Sequence, residues 1–62
     1  MVGENIKKYR EEAGLTQAEL AEKMGYEKTL ILRWEHGTKE PFASQVKAIA
    51  EILNVDVAKL YE

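Results

Sequence analysis

The stretch Thr16–Gly37, TQAELAEKMGYEKTLILRWEHG, constrains the fold more than any other part of the chain. It carries two short helical patterns separated by a single glycine. Counted from Gln17 as position 1, Leu20, Met24, Tyr26, Ile31 and Trp34 fall at positions 4, 8, 10, 15 and 18. Ala21 and Gly25 fall at positions 5 and 9. A small residue at position 5 lets two helices approach closely, and a glycine at position 9 supplies the left-handed backbone that a sharp turn requires. The pattern is that of a helix-turn-helix unit covering about residues 17–36, its second helix set steeply against the first.

The flanking sequence supplies what such a pair needs for a core. With 62 residues the chain is one small domain, residues 1–62, with no internal repeat or low-complexity segment. That length is near the lower limit for a core that stabilises itself without disulfide or metal. The pattern predicts five short helices and an all-α fold. The first runs from about Glu4 to Ala13, with Ile6, Tyr9, Arg10 and Ala13 on one face and Gly14 as its stop. Thr16 opens the second, and Glu19 three residues later completes a capping box. The third covers Lys28–His36. The fourth carries Val46, Ile49, Ala50 and Leu53 and stops at Asn54; either Ser44 caps it or Pro41 lies in its first turn. Asp56 caps a last short helix, with Val57 and Leu60 facing inward and Tyr61 as a further inward candidate. No helix of this length stands alone in water, so packed apolar faces must hold them. The expected core is Ile6, Tyr9, Leu15, Leu20, Ala21, Met24, Ile31, Trp34, Val46, Ile49, Ala50, Leu53, Val57 and Leu60.

Composition narrows the function classes. There is no cysteine, which removes disulfide frameworks and cysteine-based zinc sites. No apolar run reaches membrane-spanning length and the N-terminus lacks a secretory segment, so a cytoplasmic location is expected and a membrane partner is not. One His, one Ser and no Cys leave no nucleophile–base constellation, and neither enzyme activity nor a cofactor is expected. No metal site is expected: Glu11, Glu12, Glu19 and Glu22 fit a solvated helical face better than a ligand cluster, with Glu19 in i,i+4 register with Lys23. A chain this small holds no ligand pocket of ordinary size, so no small-molecule ligand is expected. The second helix of a helix-turn-helix is the element that enters a DNA major groove. The formal net charge of −2 opposes that reading, because phosphate contact favours basic proteins. Where the nine Lys and Arg lie therefore matters more than their sum.

The segments NIKKYREEAGLTQAELAEKMG and RWEHGTKEP, continuing through NVDVAKLYE, resemble the lambda-repressor and Cro type of helix-turn-helix domain, the XRE family. The resemblance covers nearly the whole chain. It implies a five-helix lambda-repressor-like domain that binds double-stranded operator DNA as a homodimer, with helix 28–36 in the major groove; that docking is the established geometry of the family's best-known members. On matching positions it implies base contacts from Lys28, Thr29 and Arg33, and phosphate contacts from Gln17 and Lys39. His36, when protonated, is a further phosphate donor. Arg10 and Glu35 match a buried structural ion pair.

Departures from the pattern leave alternatives open. Leu30 and Leu32 replace small or polar residues: Leu30 can lean along Trp34, whereas Leu32 points away, either toward thymine methyls as a base contact or into a protein-docking patch. Glu27 replaces a neutral cap, and Phe42–Ala43 inverts a small-then-large order. The competing reading is a protein-interaction module that keeps the fold with weak or no DNA binding. An engineered or resurfaced repressor domain is a third.

Overall fold

The computed structural model describes residues 1–62 and is all-helical. Its elements are α1 (Val2–Glu12), α2 (Gln17–Met24), α3 (Lys28–His36), α4 (Ala43–Leu53) and α5 (Val57–Leu60). Helix α3 is the central element, with α1 and α2 packed on it, while α4 closes the core and α5 rests on α1 and α4.

The boundaries of α2 and the end of α4 have local causes. Thr16 opens α2 through the anticipated reciprocal pair: Thr16 Oγ1 accepts from the Glu19 amide at 3.0 Å, and Glu19 Oε1 accepts from the Thr16 amide at 2.8 Å. These bonds hold the Glu19 carboxyl below its ordinary pKa. They also explain why Glu19 forms no ion pair with Lys23, since the ion pairs present are Met1–Glu4, Arg10–Glu35 and Lys59–Glu62. A carboxylate at a helix start gains more from a free backbone N–H than from an exposed ammonium one turn on. Gly25 ends α2 at φ +77°, the left-handed geometry that turns the chain into α3. Asn54 ends α4 in the same region at φ +57°.

Two helix starts differ from the sequence reading. Helix α1 begins at Val2, two residues before Glu4, because Gly3 is buried against α3. A Cβ on Gly3 would lie 2.1 Å from the Trp34 carbonyl oxygen, so only glycine allows this approach. Helix α4 begins at Ala43, with neither Ser44 as cap nor Pro41 in the first turn. Phe42 occupies the cap position and has no side-chain acceptor. Only the reverse half of a capping box forms there, the Gln45 side-chain oxygen accepting from the Phe42 amide at 2.8 Å. The same Gln45 donates Nε2–H to the Tyr26 hydroxyl at 3.2 Å, tying the start of α4 to the turn before α3.

The buried apolar set is Ile6, Leu20, Ala21, Ile31, Trp34, Val46, Ile49, Ala50, Leu53 and Leu60, all of them anticipated. Each large one contributes roughly 1.5–3 kcal/mol relative to exposure. Trp34 is 1% exposed, and its Nε1 has no protein hydrogen-bond partner, so the indole serves as core area. Tyr26 meets it edge-on, with ring centroids 5.9 Å apart. Tyr9, Leu15 and Met24 are half-buried and pack around this set, together with Val2, Leu30, Ile52 and Val55. Val57 and Tyr61 are exposed, contrary to expectation for Val57 and to the inward alternative for Tyr61. A one-turn helix has room for one inward anchor, and Leu60 takes it. Asn5 secures the chain's C-terminal end instead, donating Nδ2–H to the carbonyls of Leu60 at 3.0 Å and Glu62 at 3.2 Å.

Candidate nucleic-acid interface

Helix α3 divides cleanly into two faces. Ile31, Trp34 and Glu35 are buried, and Leu30 is half-buried against the core. Lys28, Thr29, Leu32, Arg33 and His36 are exposed. At 100° per residue these five fall within a sector of about 140°, so they form one continuous outward face. Leu32 is 37% exposed and lies inside that sector between Lys28 and His36, pointing away from Trp34 as the spacing requires.

The two ends of α3 are secured differently. Glu27 occupies the cap position with its side chain making no capping bond. At the other end Gly37 reverses the chain, and the Thr38 amide and hydroxyl both donate to the Arg33 carbonyl, at 3.0 and 3.3 Å. This hydrogen-bonded turn places exposed Lys39 beside Arg33. Both line an open concavity of about 370 Å³ between the α2–α3 turn and the outer face, together with Tyr26, Glu27, Thr29 and Leu30.

Of the expected contacts, Lys28, Thr29, Leu32, Arg33 and His36 share the outer face of α3 and Lys39 adjoins it, whereas Gln17 is engaged elsewhere. Gln17, the first residue of α2, is half-buried and donates Nε2–H to Glu35 Oε1 at 3.0 Å. It is part of a buried network as well as a candidate surface contact. Arg10 is the hub of that network. Its Nε donates to Glu35 Oε2 at 2.6 Å, Nη2 to Oε1 at 3.0 Å, and Nη1 to the Leu15 carbonyl at 2.8 Å. The side chains of Arg10 and Glu35 are 8% and 1% exposed. The hydrogen bond to Glu35 raises the guanidinium pKa above its ordinary value, against the opposing effect of burial. As expected for a structural pair, Arg10 is unavailable to an external partner. One guanidinium thereby fastens α1 to α3 and to the residue preceding the α2 cap.

The electrostatics of the outer side are modest. The exposed charges on α3 and its two flanking turns are Lys28, Arg33 and Lys39 against Glu27 and Glu40, three cations and two carboxylates. Arg33 and His36 also sit in the last turn of α3, where cations suit the helix dipole. Pro41 to Ala43 follow directly, and Phe42 is 72% exposed.

A helix-turn-helix family model matches residues 6–60. The chain belongs to the XRE, lambda-repressor/Cro type of helix-turn-helix family. Among its relatives, an HTH-type transcriptional regulator of Sinorhizobium medicae (strain WSM419) is 36% identical over 61 residues, covering 98% of this chain and 44% of that protein. The HTH-type transcriptional regulator YqaE of Bacillus subtilis (strain 168) is 35% identical over 57 residues, covering 92% and 49%. The chain therefore spans less than half the length of the curated relatives it matches. Among solved structures, that of SinR, a master regulator for biofilm formation, in complex with DNA superposes with a TM-score of 0.90 at 33% identity, covering 100% of both chains.

As an XRE-type domain the chain keeps the five-helix architecture anticipated from its sequence. The structure adds three residues that the sequence reading missed. Gly3 permits the α1–α3 approach, Asn5 ties down the end of α5, and Gln45 braces Tyr26. Only Gln45 left a usable trace, lying three residues after the cap position as the acceptor half of a capping box does.

Proposed function

We propose that this domain is a sequence-specific DNA-binding transcriptional regulator, acting as a repressor and engaging operator DNA as a homodimer with α3 in the major groove. The observation that carries the reading is the unobstructed outer face of α3, on which Lys28, Thr29, Leu32 and Arg33 are all exposed while the opposite face supplies the core. Arg33 offers a guanidinium for bidentate pairing with guanine, and Thr29 and Leu32 offer methyl groups for thymine. Gln17, Lys39 and protonated His36 are the backbone phosphate contacts, aided at Gln17 by the positive end of α2.

One copy reads only a few base pairs, so two copies on half-sites about 34 Å apart supply the remaining specificity. With only Lys28, Arg33 and Lys39 as lysine or arginine cations on and just after α3, single-copy affinity is weak and salt-dependent. A regulator of this kind works in the cytoplasm beside its DNA; no helix here is long and apolar enough to cross a membrane. Family membership agrees with a binding role and not an enzymatic one.

Fluorescence anisotropy against operator-like and random duplexes over a salt series tests the proposal. Arg33→Ala is expected to flatten base preference at a cost of about 1–3 kcal/mol, whereas Gln17→Ala weakens all duplexes alike. Indifference of the wild-type domain to every duplex at low salt removes the reading. Exposed Phe42 and Leu32 favour the alternative of a protein-docking module. In that case Leu32→Ser lowers self-association and leaves DNA affinity unchanged or improved.

A further inference from the structure

The Gln17 amide and the buried ion pair are coupled in a way that bears on binding. Glu35 is immobilised by two bonds from Arg10, at 2.6 and 3.0 Å, before Gln17 is considered. A carboxylate can only accept, so it selects the amide orientation in which nitrogen, not oxygen, faces it. Gln17 Nε2 has two hydrogens; one goes to Glu35 Oε1 at 3.0 Å, and the other has no protein partner. The same guanidinium holds the Leu15 carbonyl, two residues before Gln17, and so steadies the start of α2 as well as the acceptor.

We propose that Glu35 is a positioning residue for DNA binding: it fixes the Gln17 side chain so that its remaining Nε2–H donates to a backbone phosphate. The inference rests on the reading of Gln17 as a phosphate contact. An unanchored glutamine has several rotatable bonds whose freedom must be lost when DNA arrives; this one loses it when the domain folds. The buried pair thereby serves affinity as well as architecture, although neither Arg10 nor Glu35 reaches the surface.

A double-mutant cycle on the whole domain separates the two roles. Duplex affinity is measured by anisotropy for wild type, Gln17→Ala, the apolar replacement Arg10→Met with Glu35→Leu, and the triple variant. Gln17→Ala is expected to weaken wild-type binding about tenfold, the size of one hydrogen bond to a charged group, and the apolar background by less than about threefold. A purely structural pair predicts the same loss in both backgrounds; that result overturns the positioning role and leaves the phosphate contact standing. No loss in either background overturns the phosphate role of Gln17 and the positioning role with it, while a wild type that binds no duplex overturns the functional reading itself. Should the apolar variant not fold, NMR of the wild-type Gln17 side-chain amide decides. One Nε2 proton is expected downfield before DNA is added and the other to move on titration with duplex. Both protons at free-amide positions in the unbound domain overturn the proposal.

Discussion

Gly3→Ala sets two physical effects of opposite sign against each other. Helix propensity alone favours alanine over glycine by up to about 1 kcal/mol, and less than that in a first turn. The packing argues the reverse. The added methyl carbon would stand 2.1 Å from the Trp34 carbonyl oxygen and 3.1 Å from that of Glu35. Both obstacles are backbone of the central helix, so no side-chain rotation relieves the overlap. Either α1 moves away from α3 by roughly an ångström, opening the seat of Val2 and Ile6, or its first turn unwinds. Overpacking of this kind costs about 1–3 kcal/mol. The larger effect is packing, and the net outcome is a loss of about 1–2 kcal/mol once propensity is subtracted. For a domain of this size that lowers Tm by about 4–16 °C. Thermal unfolding followed by circular dichroism measures it, with exposed Lys7→Ala as the control for propensity in the same helix. A Gly3→Ala domain as stable as wild type, or more so, refutes the close approach of α1 to α3.

Three further outcomes follow from the same geometry. Arg10→Met leaves Glu35 buried with Gln17 as its one remaining donor and is expected to cost about 3–5 kcal/mol in urea unfolding, whereas pairing it with Glu35→Leu restores most of the loss. Gly25→Ala forces a methyl into the left-handed region at φ +77° and is expected to destabilise by about 1–2 kcal/mol by the same assay. Glu19, with its pKa lowered by the Thr16 bonds, adds stability that is complete above the unfolded carboxyl pKa and lost as pH falls through the lower folded value. Glu19→Gln should therefore flatten part of the acid limb of a Tm-against-pH curve; an unchanged limb contradicts that capping role. Arg10, shifted upward by its bond to Glu35, stays protonated throughout that limb, so its own titration adds nothing to the slope.

Much of this architecture can be read from residue spacing, because spacing is what an amphipathic helix depends on. Leu20, Ile31 and Trp34 had to face one another, and the caps at Thr16, Gly25, Asn54 and Asp56 act through local bonds that a short segment specifies. What escaped depends on contacts between distant segments. Gly3 looks like a poor helix residue until the carbonyls of α3 are seen against it. Val57 has the right spacing for the core, but a single-turn helix buries only Leu60. For the interface, spacing places Lys28, Leu32 and Arg33 on the outer face of α3, and resemblance supplies their proposed roles. Neither discloses that Gln17 is bonded to Glu35, because that bond spans 18 residues and depends on how α2 packs against α3.

The outer face of α3 is the surface proposed to meet DNA. Amide chemical-shift changes on titrating the isotopically labelled domain with a duplex selected from a random pool measure this residue by residue. The largest changes are expected at Gln17, at Lys28 to Arg33 and at Lys39, with the exposed side of α5 around Val57 and Tyr61 little affected in a duplex carrying a single half-site. Shifts confined to α5 or to the neighbourhood of Phe42, with α3 silent, contradict the account.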